Sequence, residues 1–412
     1  MKKVMLIVIV VLLASLSFAK ATEITFWYAL SGHKGEVFKD FIDEFNSIQD
    51  DIYVKGVFSG KYADTSQKLM AAIAANILPN GGVVPAGPIF TGARDNYLIL
   101  DYLENDSELD MDDYYPAMWD YARYEGKICA IPYNISTPVM YYNKDLFKSA
   151  GLDPEKPPQT WDELLTYAKA ITKDENGDGN PEIWGFDAND TPWIFKAFLA
   201  QNECGIIESS TLNPLFDTEA GYETAEFWKK LIDEQAMPVG IHDIAEKRFL
   251  GGTLGIYMGS SSRIGSWLGN TEFDLGVAYL PAGKVHSIPI GGAVIVLFPY
   301  SDKENDATYE FIKWVTEPER VAQFSINTGY IPTRKSALKI EELEDFMEEV
   351  PEYKTAFEQL KYGFSYWHFY EMGTMDNLIW EGLEQIEREL MGPEEAMNWI
   401  SKELEAEIEA NK

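Results

Sequence analysis

Positive charge is scarce in this 412-residue sequence, which has 34 Lys and Arg residues against 67 Asp and Glu residues. The formal net charge is −33. A surface this acidic repels phosphate backbones and anionic lipid headgroups, which argues against nucleic acid and membrane surfaces as partners.

Cysteine is almost absent, with Cys129 and Cys204 as the only two residues of this type. One disulfide between them is permitted in an oxidising compartment, but two cysteines alone do not require it.

The short motifs of common enzyme classes are also missing. The sequence contains no GxSxG, GxxxxGK[ST], GxGxxG or HExxH pattern, and its four histidines lie far apart. Carboxylates are numerous, but the pair that glycoside hydrolysis requires is defined in space and not by spacing. An extracytoplasmic hydrolase therefore stays as a minority alternative.

Long apolar runs are absent except at the start, MKKVMLIVIVVLLASLSFA. A basic pair, an apolar core and small residues predict a signal peptide over residues 1–19, with cleavage after Ala19 or after Ala21. No cysteine follows either site, which argues against a lipoprotein. A retained anchor is the alternative, although the run is shorter than the roughly 20 residues that span a bilayer. We expect an exported, periplasmic or extracytoplasmic chain of about 390 residues, long enough for two lobes.

Strand and helix patterns alternate after this segment. Glu23 to Leu30 and Asp51 to Phe58 have strand composition, and Val37, Phe38, Phe41 and Phe45 recur between them at helical spacing. A third strand is centred on Val83 and Val84. This alternation predicts an α/β fold with mixed, mostly parallel sheets flanked by helices. Ligands bind such sheets at the carboxyl ends of the strands.

The middle of the chain contains an extended segment, Lys127 to Phe147, that includes Pro132 and Pro138. Proline fits poorly in a central strand, so this segment is expected to cross between lobes. A helix should follow Thr160, where Thr160 and Glu163 match a capping box. From about Ser336 the pattern is almost wholly helical.

The segment DENGDGNPE has two interpretations. Asp174, Asn176 and Asp178 supply oxygens at the spacing that begins a calcium loop. The twelfth position is Gly185, where an EF-hand requires Glu. The alternative is a polar turn rich in Asn, Asp and Gly. A structural calcium ion at this segment is the only cofactor that the sequence suggests.

Aromatic residues recur after the predicted strands. Their faces can stack on sugars or polyols, and each could equally be part of the core. The residues are Trp27, Tyr28, Tyr62, Trp193, Tyr257, Tyr330 and Trp367.

Several segments occur in the order that is typical of one family. They are FWYAL, GKYADTSQKLMAAIAA, YNISTPVMYYNKDLFKSAGLDPEKPPQTWDEL, FLGGTLGIYMGSSS, FDLGVAYLP, IGGA and NTGYIPTRKSA. The chain resembles the extracellular solute-binding proteins (family 1) of ABC importers, which include maltose-binding proteins, and its pattern is most similar to the glycerol-3-phosphate-binding group.

The resemblance implies a two-lobe type II periplasmic-binding-protein fold, joined by hinge crossings, that closes on its ligand. It places the N-terminal lobe at 22–132 and 279–328, and the C-terminal lobe at 133–278 and 329–412. It further implies a monomeric receptor whose partners are a solute and the ABC permease subunits in the membrane.

The resemblance also carries over ligand-binding positions. Tyr62, Ser136, Trp193, Ser260, Gly292 and Tyr330 match family positions at the cleft. Hydroxyl groups and a backbone N–H serve phosphate or sugar equally well, so these matches locate the cleft without identifying the ligand.

Three departures from the glycerol-phosphate pattern concern the ligand. Asp190 replaces a tryptophan, Ala86 or Gly87 replaces a glutamate, and Glu371 replaces an arginine. Arginine grips phosphate in a bidentate fork, and a carboxylate in its place repels a dianion.

Asp190 and Glu371 can each accept hydroxyl donors, and Trp367 is a possible stacking ring beside Glu371. The prediction is therefore a receptor for a neutral sugar or polyol. The alternative is a glycerol 3-phosphate or glycerophosphodiester receptor in which Lys34, Lys61 or Arg263 replaces the arginine.

Overall fold

The computed structural model describes residues 21–86, 99–107, 109–124, 127–208, 211–240, 242–365 and 372–410. The predicted signal peptide lies outside these residues, as do Gly87, Trp367 and Glu371. Across the ranges described, no helix has both the length and the hydropathy that a membrane crossing requires.

Strands and helices alternate along most of the described chain. The strands β1 to β13 are Thr22–Tyr28, Ile52–Phe58, Gly81–Val84, Arg123–Tyr124, Lys127–Ile128, Ile131–Ser136, Pro138–Asn143, Trp184–Ala188, Leu254–Ser260, Leu275–Ala278, Ile288–Pro289, Gly291–Leu297 and Gly363–Phe364. The helices α1 to α16 are His33–Ile48, Tyr62–Ala75, Ile99–Asn105, Pro116–Tyr121, Lys144–Ser149, Trp161–Ile171, Thr191–Gln201, Glu219–Asp233, Ala245–Leu250, Ile264–Trp267, Asp302–Val315, Pro318–Thr328, Glu341–Glu349, Pro351–Glu358, Met372–Glu387 and Pro393–Ala410.

The predicted strand and helix patterns at the start of the chain are confirmed. Alternate residues of β1 are buried, as expected for a strand with one face on the core. Helix α1 buries Val37, Phe38, Phe41 and Phe45, the four residues that recur at helical spacing.

The first sheet has the strand order β2-β1-β3-β12-β6. Strand β1 pairs in parallel with β2 and β3, whereas β12 is antiparallel to both β3 and β6. Pro132 lies in β6, an edge strand, where its missing N–H breaks no ladder between two neighbours.

The second sheet has the order β10-β7-β9-β8. Strand β8 is parallel to β9, and β7 is antiparallel to β9 and β10. Pro138 is the first residue of β7, a position that tolerates proline. Both sheets are mixed, as the predicted α/β fold requires, but the expectation of mostly parallel pairing is wrong, because four antiparallel pairs stand against three parallel ones in the described strands of these sheets.

Three connections between the sheets come together at one place. Strand β6 ends at Ser136 in the first sheet, and β7 begins at Pro138 in the second. Ser136 pairs with Gly291, where the chain enters β12. Ile331 donates its backbone N–H to the carbonyl of Ile135 at 2.9 Å, which brings the third connection to the same strand.

Two large hydrophobic clusters form the core, and the first contains the first sheet together with some residues of the second sheet, such as Tyr141. Phe26, Phe38 and Phe311 belong to the first, and Phe186, Phe198 and Trp228 to the second. The predicted lobe boundaries stay a prediction. Leu280 and Ile288 pack in the second cluster, which favours a crossing nearer Gly291 than residue 279.

The predicted cap at Thr160 is present in part. The Thr160 hydroxyl accepts the backbone N–H of Glu163 at 3.2 Å. The Glu163 carboxylate accepts the N–H of Gln159 at 2.6 Å, one residue before the position that a capping box uses.

The two cysteines do not pair in this structure. Cys129 and Cys204 are both buried and free. They belong to different hydrophobic clusters.

Candidate functional site

A cleft of about 1150 Å³ lies at the ends of strands from both sheets. This position agrees with the general rule that ligands bind α/β sheets beyond the carboxyl ends of their strands. The described residues that line it are Tyr62, Ala63, Ser66, Gln67, Met70, Pro85, Ala86, Tyr121, Ser136, Asn189, Asp190, Pro192, Trp193, His242, Asp243, Ser260, Gly291, Gly292, Tyr330, Gly373, Thr374, Asp376, Asn377 and Trp380. All the predicted ligand positions that are described therefore border one space.

Tyr62 is the first residue of α2 and enters the cleft from the side of the first sheet. Its hydroxyl accepts a hydrogen bond from Asn134 Nδ2 at 2.7 Å. Burial, and then the neighbouring hydroxyl of Tyr330, raise the pKa of Tyr62 well above its ordinary value. The phenol therefore stays neutral at physiological pH and can donate to, or accept from, a ligand hydroxyl.

Ser136 and Gly292 lie where the connections between the sheets meet. Gly292 has φ of 123°, and an added Cβ would approach the carbonyl oxygen of Asn134 to 2.0 Å. Only glycine fits this backbone. Tyr121 donates its hydroxyl to the Gly292 carbonyl at 3.0 Å, which fixes the floor of the cleft.

Tyr330 follows the third connection and is almost fully buried. Its ring stacks on Phe324 with centroids 5.8 Å apart, and Tyr353 donates a hydrogen bond to its carbonyl. The Nζ of Lys34 lies 4.8 Å from the ring centroid.

Asp190 and Trp193 approach from the second sheet. Asp190 follows β8 with φ of 52° and ψ of 41°, a left-handed conformation that costs free energy for any residue other than glycine. Its carboxylate makes no capping hydrogen bond to α7 and is half exposed to the cleft. The walls of the cleft nevertheless desolvate the carboxylate, and this effect, opposed by the charge of Arg263, raises the pKa of Asp190 above its ordinary value.

Arg263 lies close to the carboxylates of both Asp190 and Glu246. Its Nη2 lies 3.1 Å from Glu246 Oε2 and 3.8 Å from Asp190 Oδ2. The guanidinium also lies within 6 Å of two ring centroids, at 5.7 Å from Tyr257 and 5.9 Å from Trp267. Its charge is thus compensated within the protein.

Ser260 lines the cleft at the end of β9 and is connected to Lys34 through Ser262. Its Oγ lies 3.0 Å from Ser262 Oγ, which in turn accepts a hydrogen bond from Lys34 Nζ at 2.8 Å. Lys34 comes from α1, so this chain of hydrogen bonds joins elements of the two sheets.

The sequence did not indicate a buried charge network at the edge of the cleft. His242 Nδ1 lies 2.5 Å from Asp187 Oδ1, and its Nε2 lies 2.8 Å from Glu387 Oε1. Burial alone would lower the pKa of His242, but the hydrogen bonds and charges of Asp187 and Glu387 raise it to about 10. The imidazole is therefore a cation at neutral pH, compensated by two carboxylates.

Helix α15 supplies further residues that sequence reasoning missed, among them Asp376 and Trp380. Lys196 is fully buried and contacts Asp376 Oδ1 at 2.6 Å. These residues are 180 positions apart, so no local pattern could have paired them.

The predicted calcium loop lies apart from the cleft. The Asp174 carboxylate accepts the N–H groups of Gly177 and Gly179 at 2.7 and 2.8 Å. Asn176 and Asp178 each accept the N–H two residues onward, at 2.8 Å. These contacts are those of a polar turn.

In the described ranges, no group of three His, Cys, Asp or Glu side chains is placed to hold a metal ion. The predicted calcium set includes an asparagine, Asn176, so this result does not address it. Calcium binding stays a prediction.

Of the three departures from the glycerol-phosphate pattern, two lie at the cleft and one lies outside the described residues. Asp190 and Ala86 line the cleft. Glu371 and Trp367, which were predicted at its edge, lie outside the described residues.

Comparison with known proteins gives consistent matches. A family profile described as "Bacterial extracellular solute-binding protein" matches residues 40–355. The sn-glycerol-3-phosphate-binding periplasmic protein UgpB of Yersinia pestis bv. Antiqua is 28% identical over 388 residues, covering 87% of this chain and 84% of that protein.

Solved structures agree on the fold. UgpB from Mycobacterium tuberculosis in complex with glycerophosphocholine has a TM-score of 0.81 at 26% identity, over 95% of this chain and 99% of that one. The cyclic alpha-maltosyl-1,6-maltose binding protein from Arthrobacter globiformis has a TM-score of 0.80 at 24% identity, over 94% and 98%.

Proposed function

The chain belongs to the family of bacterial extracellular solute-binding proteins, and on that premise we propose that it captures a neutral sugar or polyol. The family and the relatives make the protein a solute-binding receptor of an ABC importer and not an enzyme. The ligand class, lobe closure around it, and export by the N-terminal signal are the parts that we propose.

The charge of the cleft carries the proposal. Among the described residues that line it there is no Lys or Arg, whereas Asp190, Asp243 and Asp376 all face it. The imidazolium of His242 adds no net positive charge, because it contacts the two carboxylates of Asp187 and Glu387. A phosphate dianion would enter a negative field, whereas the hydroxyls of a sugar find acceptors there.

The cationic side chains near the cleft do not make its charge positive. Arg263 is paired with Glu246 and Asp190, and Lys196 with Asp376. To bind phosphate through either residue, the protein would have to break an ion pair and leave a carboxylate uncompensated.

The size and rings of the cleft support the same ligand class. Its volume exceeds the roughly 300–1000 Å³ that is usual for small-molecule pockets. Tyr62, Trp193, Tyr330 and Trp380 supply aromatic surface beside the carboxylates. Stacking faces flanked by hydroxyl acceptors suit a sugar.

A glycerol-3-phosphate or glycerophosphodiester receptor is the second candidate. It is favoured by the relatives that bind these ligands. Lys34 provides a specific route, because it donates to Ser262, whose hydroxyl contacts Ser260 in the cleft wall. A modest shift of this flexible side chain would bring an ammonium group to a phosphate.

A thermal-shift screen separates the two candidates. The probes are maltose, maltotriose, tagatose and myo-inositol on one side, and glycerol 3-phosphate, glycerophosphocholine and inorganic phosphate on the other. A ligand at 100 times its Kd stabilises the folded state by about 2.7 kcal/mol, which raises Tm by several degrees. We expect a neutral probe to do so and the phosphorylated ones not to.

The Lys34→Met variant serves as the matched control. Loss of a phosphate-dependent shift in this variant, together with a wild-type shift that weakens with salt, would establish the second candidate and refute ours. Mass spectrometry of ligand recovered after incubation checks the receptor class, since a receptor returns it unchanged.

A further inference from the structure

Trp193 reaches from the second sheet to the backbone of the first. It lies in the first turn of α7, where its N–H donates to the carbonyl of Asp190 at 2.8 Å. Its ring covers Gly291, the first residue of β12, which pairs with Ser136 at the crossing between the sheets. The contact therefore lies at the floor of the cleft.

The fit between this ring and Gly291 leaves no room for a side chain. A Cβ added to Gly291 would lie 2.8 Å from Trp193 Cζ2, 3.2 Å from Cε2 and 3.5 Å from Nε1. Carbon atoms pack best at about 3.5–4.0 Å, so a methyl group would require a displacement of roughly 0.7–1.2 Å.

The ring is the part that would have to move. The three atoms nearest to the added Cβ all belong to Trp193, while Gly291 is fixed by its strand pairing with Ser136. Both residues border the cleft, so a displaced indole would change the shape of the cleft.

The two adjacent glycines therefore serve different purposes. Gly292 is required by its own backbone, with φ of 123° and a carbonyl 2.0 Å from any Cβ. At Gly291 the three atoms nearest to an added Cβ belong to the Trp193 side chain. The absence of a side chain at residue 291 therefore determines where the Trp193 ring can lie.

We propose that Gly291 is a positioning residue whose missing side chain sets the depth at which the Trp193 indole enters the cleft, and so the size of the stacking subsite. This inference deepens the proposed function and rests on it. Binding groups must be held within about 0.5 Å of their working positions, which a methyl group at residue 291 would not permit.

A double-mutant cycle tests the contact without any ligand. Gly291→Ala alone should lower Tm by about 2–6 °C, as expected for overpacking. In the Trp193→Ala background the same substitution should change Tm by less than about 1 °C, because the ring is gone. Equal losses in both backgrounds would overturn the inference.

A spectroscopic measurement tests the position of the ring. In protein labelled with 5-fluorotryptophan, the ¹⁹F resonance of Trp193 is assigned by its loss in Trp193→Ala. Gly291→Ala should shift this resonance. The control is Gly373→Ala, which adds a methyl group to another glycine of the cleft where nothing lies within 4 Å, and it should leave the resonance unchanged.

An unmoved Trp193 resonance in Gly291→Ala would contradict the positioning role. If that variant fails to fold, the double variant with Trp193→Ala should fold, and its failure would also overturn the inference. Neither readout uses a sugar, so a negative ligand screen would count against the proposed function and not against this contact.

Discussion

Replacement of His242 by Gln should destabilise the protein strongly. His242, Asp187 and Glu387 are 4%, 0% and 4% exposed, so water cannot compensate the two carboxylates once the imidazolium is removed. Glu387 keeps hydrogen bonds from Trp228 Nε1 at 2.9 Å and from the Gly240 N–H at 2.8 Å. Among the described residues, Asp187 keeps only the N–H of Ala188 as a hydrogen-bond donor to Oδ1, and its Oδ2 has no hydrogen-bond partner, so most of the cost falls on Asp187.

Two independent arguments give the size of this effect. Removing one partner of a buried ion pair costs about 3–5 kcal/mol. The rise in the pKa of His242 from 6.5 to about 10 corresponds to a stabilisation of about 5 kcal/mol. We therefore expect the free energy of unfolding to fall by about 3–5 kcal/mol at pH 6, measured by urea denaturation followed by circular dichroism.

The pH dependence has a definite sign. The folded-state pKa of His242 is raised, so its stabilisation is complete below pH 6.5 and is lost as pH rises toward about 10. The difference in stability between wild type and His242→Gln should decrease between pH 7 and pH 9.5. His286→Gln is the control, because that histidine is exposed, and it should cost less than about 0.5 kcal/mol.

A loss below about 1 kcal/mol at pH 6, or a difference that does not change with pH, would refute this reasoning. The double variant His242→Gln with Asp187→Asn should recover part of the loss, because it removes the buried carboxylate that has lost its hydrogen-bonded imidazolium.

Two further predictions concern backbone conformation. Gly292→Ala should lower the free energy of unfolding, measured by urea denaturation, by about 3 kcal/mol or more, because its Cβ would lie 2.0 Å from a carbonyl oxygen. The control is Gly269→Ala, at φ of 72° with no atom near the added Cβ, which should cost about 1 kcal/mol. Similar costs for the two variants would contradict the steric argument. Asp190→Gly should be more stable than Asp190→Ala by about 1 kcal/mol, since both remove the carboxylate and only glycine tolerates φ of 52° without strain. An alanine variant of equal stability would show that the left-handed conformation is not strained.

Local periodicity was sufficient to predict the first three strands and the helix between the first two. Strands β1 to β3 and helix α1 follow from residues close in sequence, and Tyr62 lies in the cleft because it follows a strand of that sheet. Antiparallel pairing is more frequent than simple strand–helix alternation predicts, because β12 returns to the first sheet from a distant part of the chain.

The electrostatics of the site could not be predicted in this way. His242 is 55 residues from Asp187 and 145 from Glu387, so no short motif joins them. Arg263 was considered as a free cation for phosphate, and only its distances to Glu246 and Asp190 show that its charge is already compensated. Patterns identify residue types, whereas charge compensation depends on distance in three dimensions.

The end of β8 explains how the strained conformation of Asp190 can persist. Asp187 is fixed by His242, and Asn189 Oδ1 accepts the N–H of Glu246 at 3.1 Å, so the backbone is anchored on two sides before it reaches Asp190. Glu246 also holds Arg263, which faces the Asp190 carboxylate. A left-handed aspartate survives only where its surroundings determine it more strongly than its own preference. The buried charge network therefore anchors the end of β8 and, together with the contacts of Asn189 and Glu246, places the Asp190 carboxylate in the wall of the cleft.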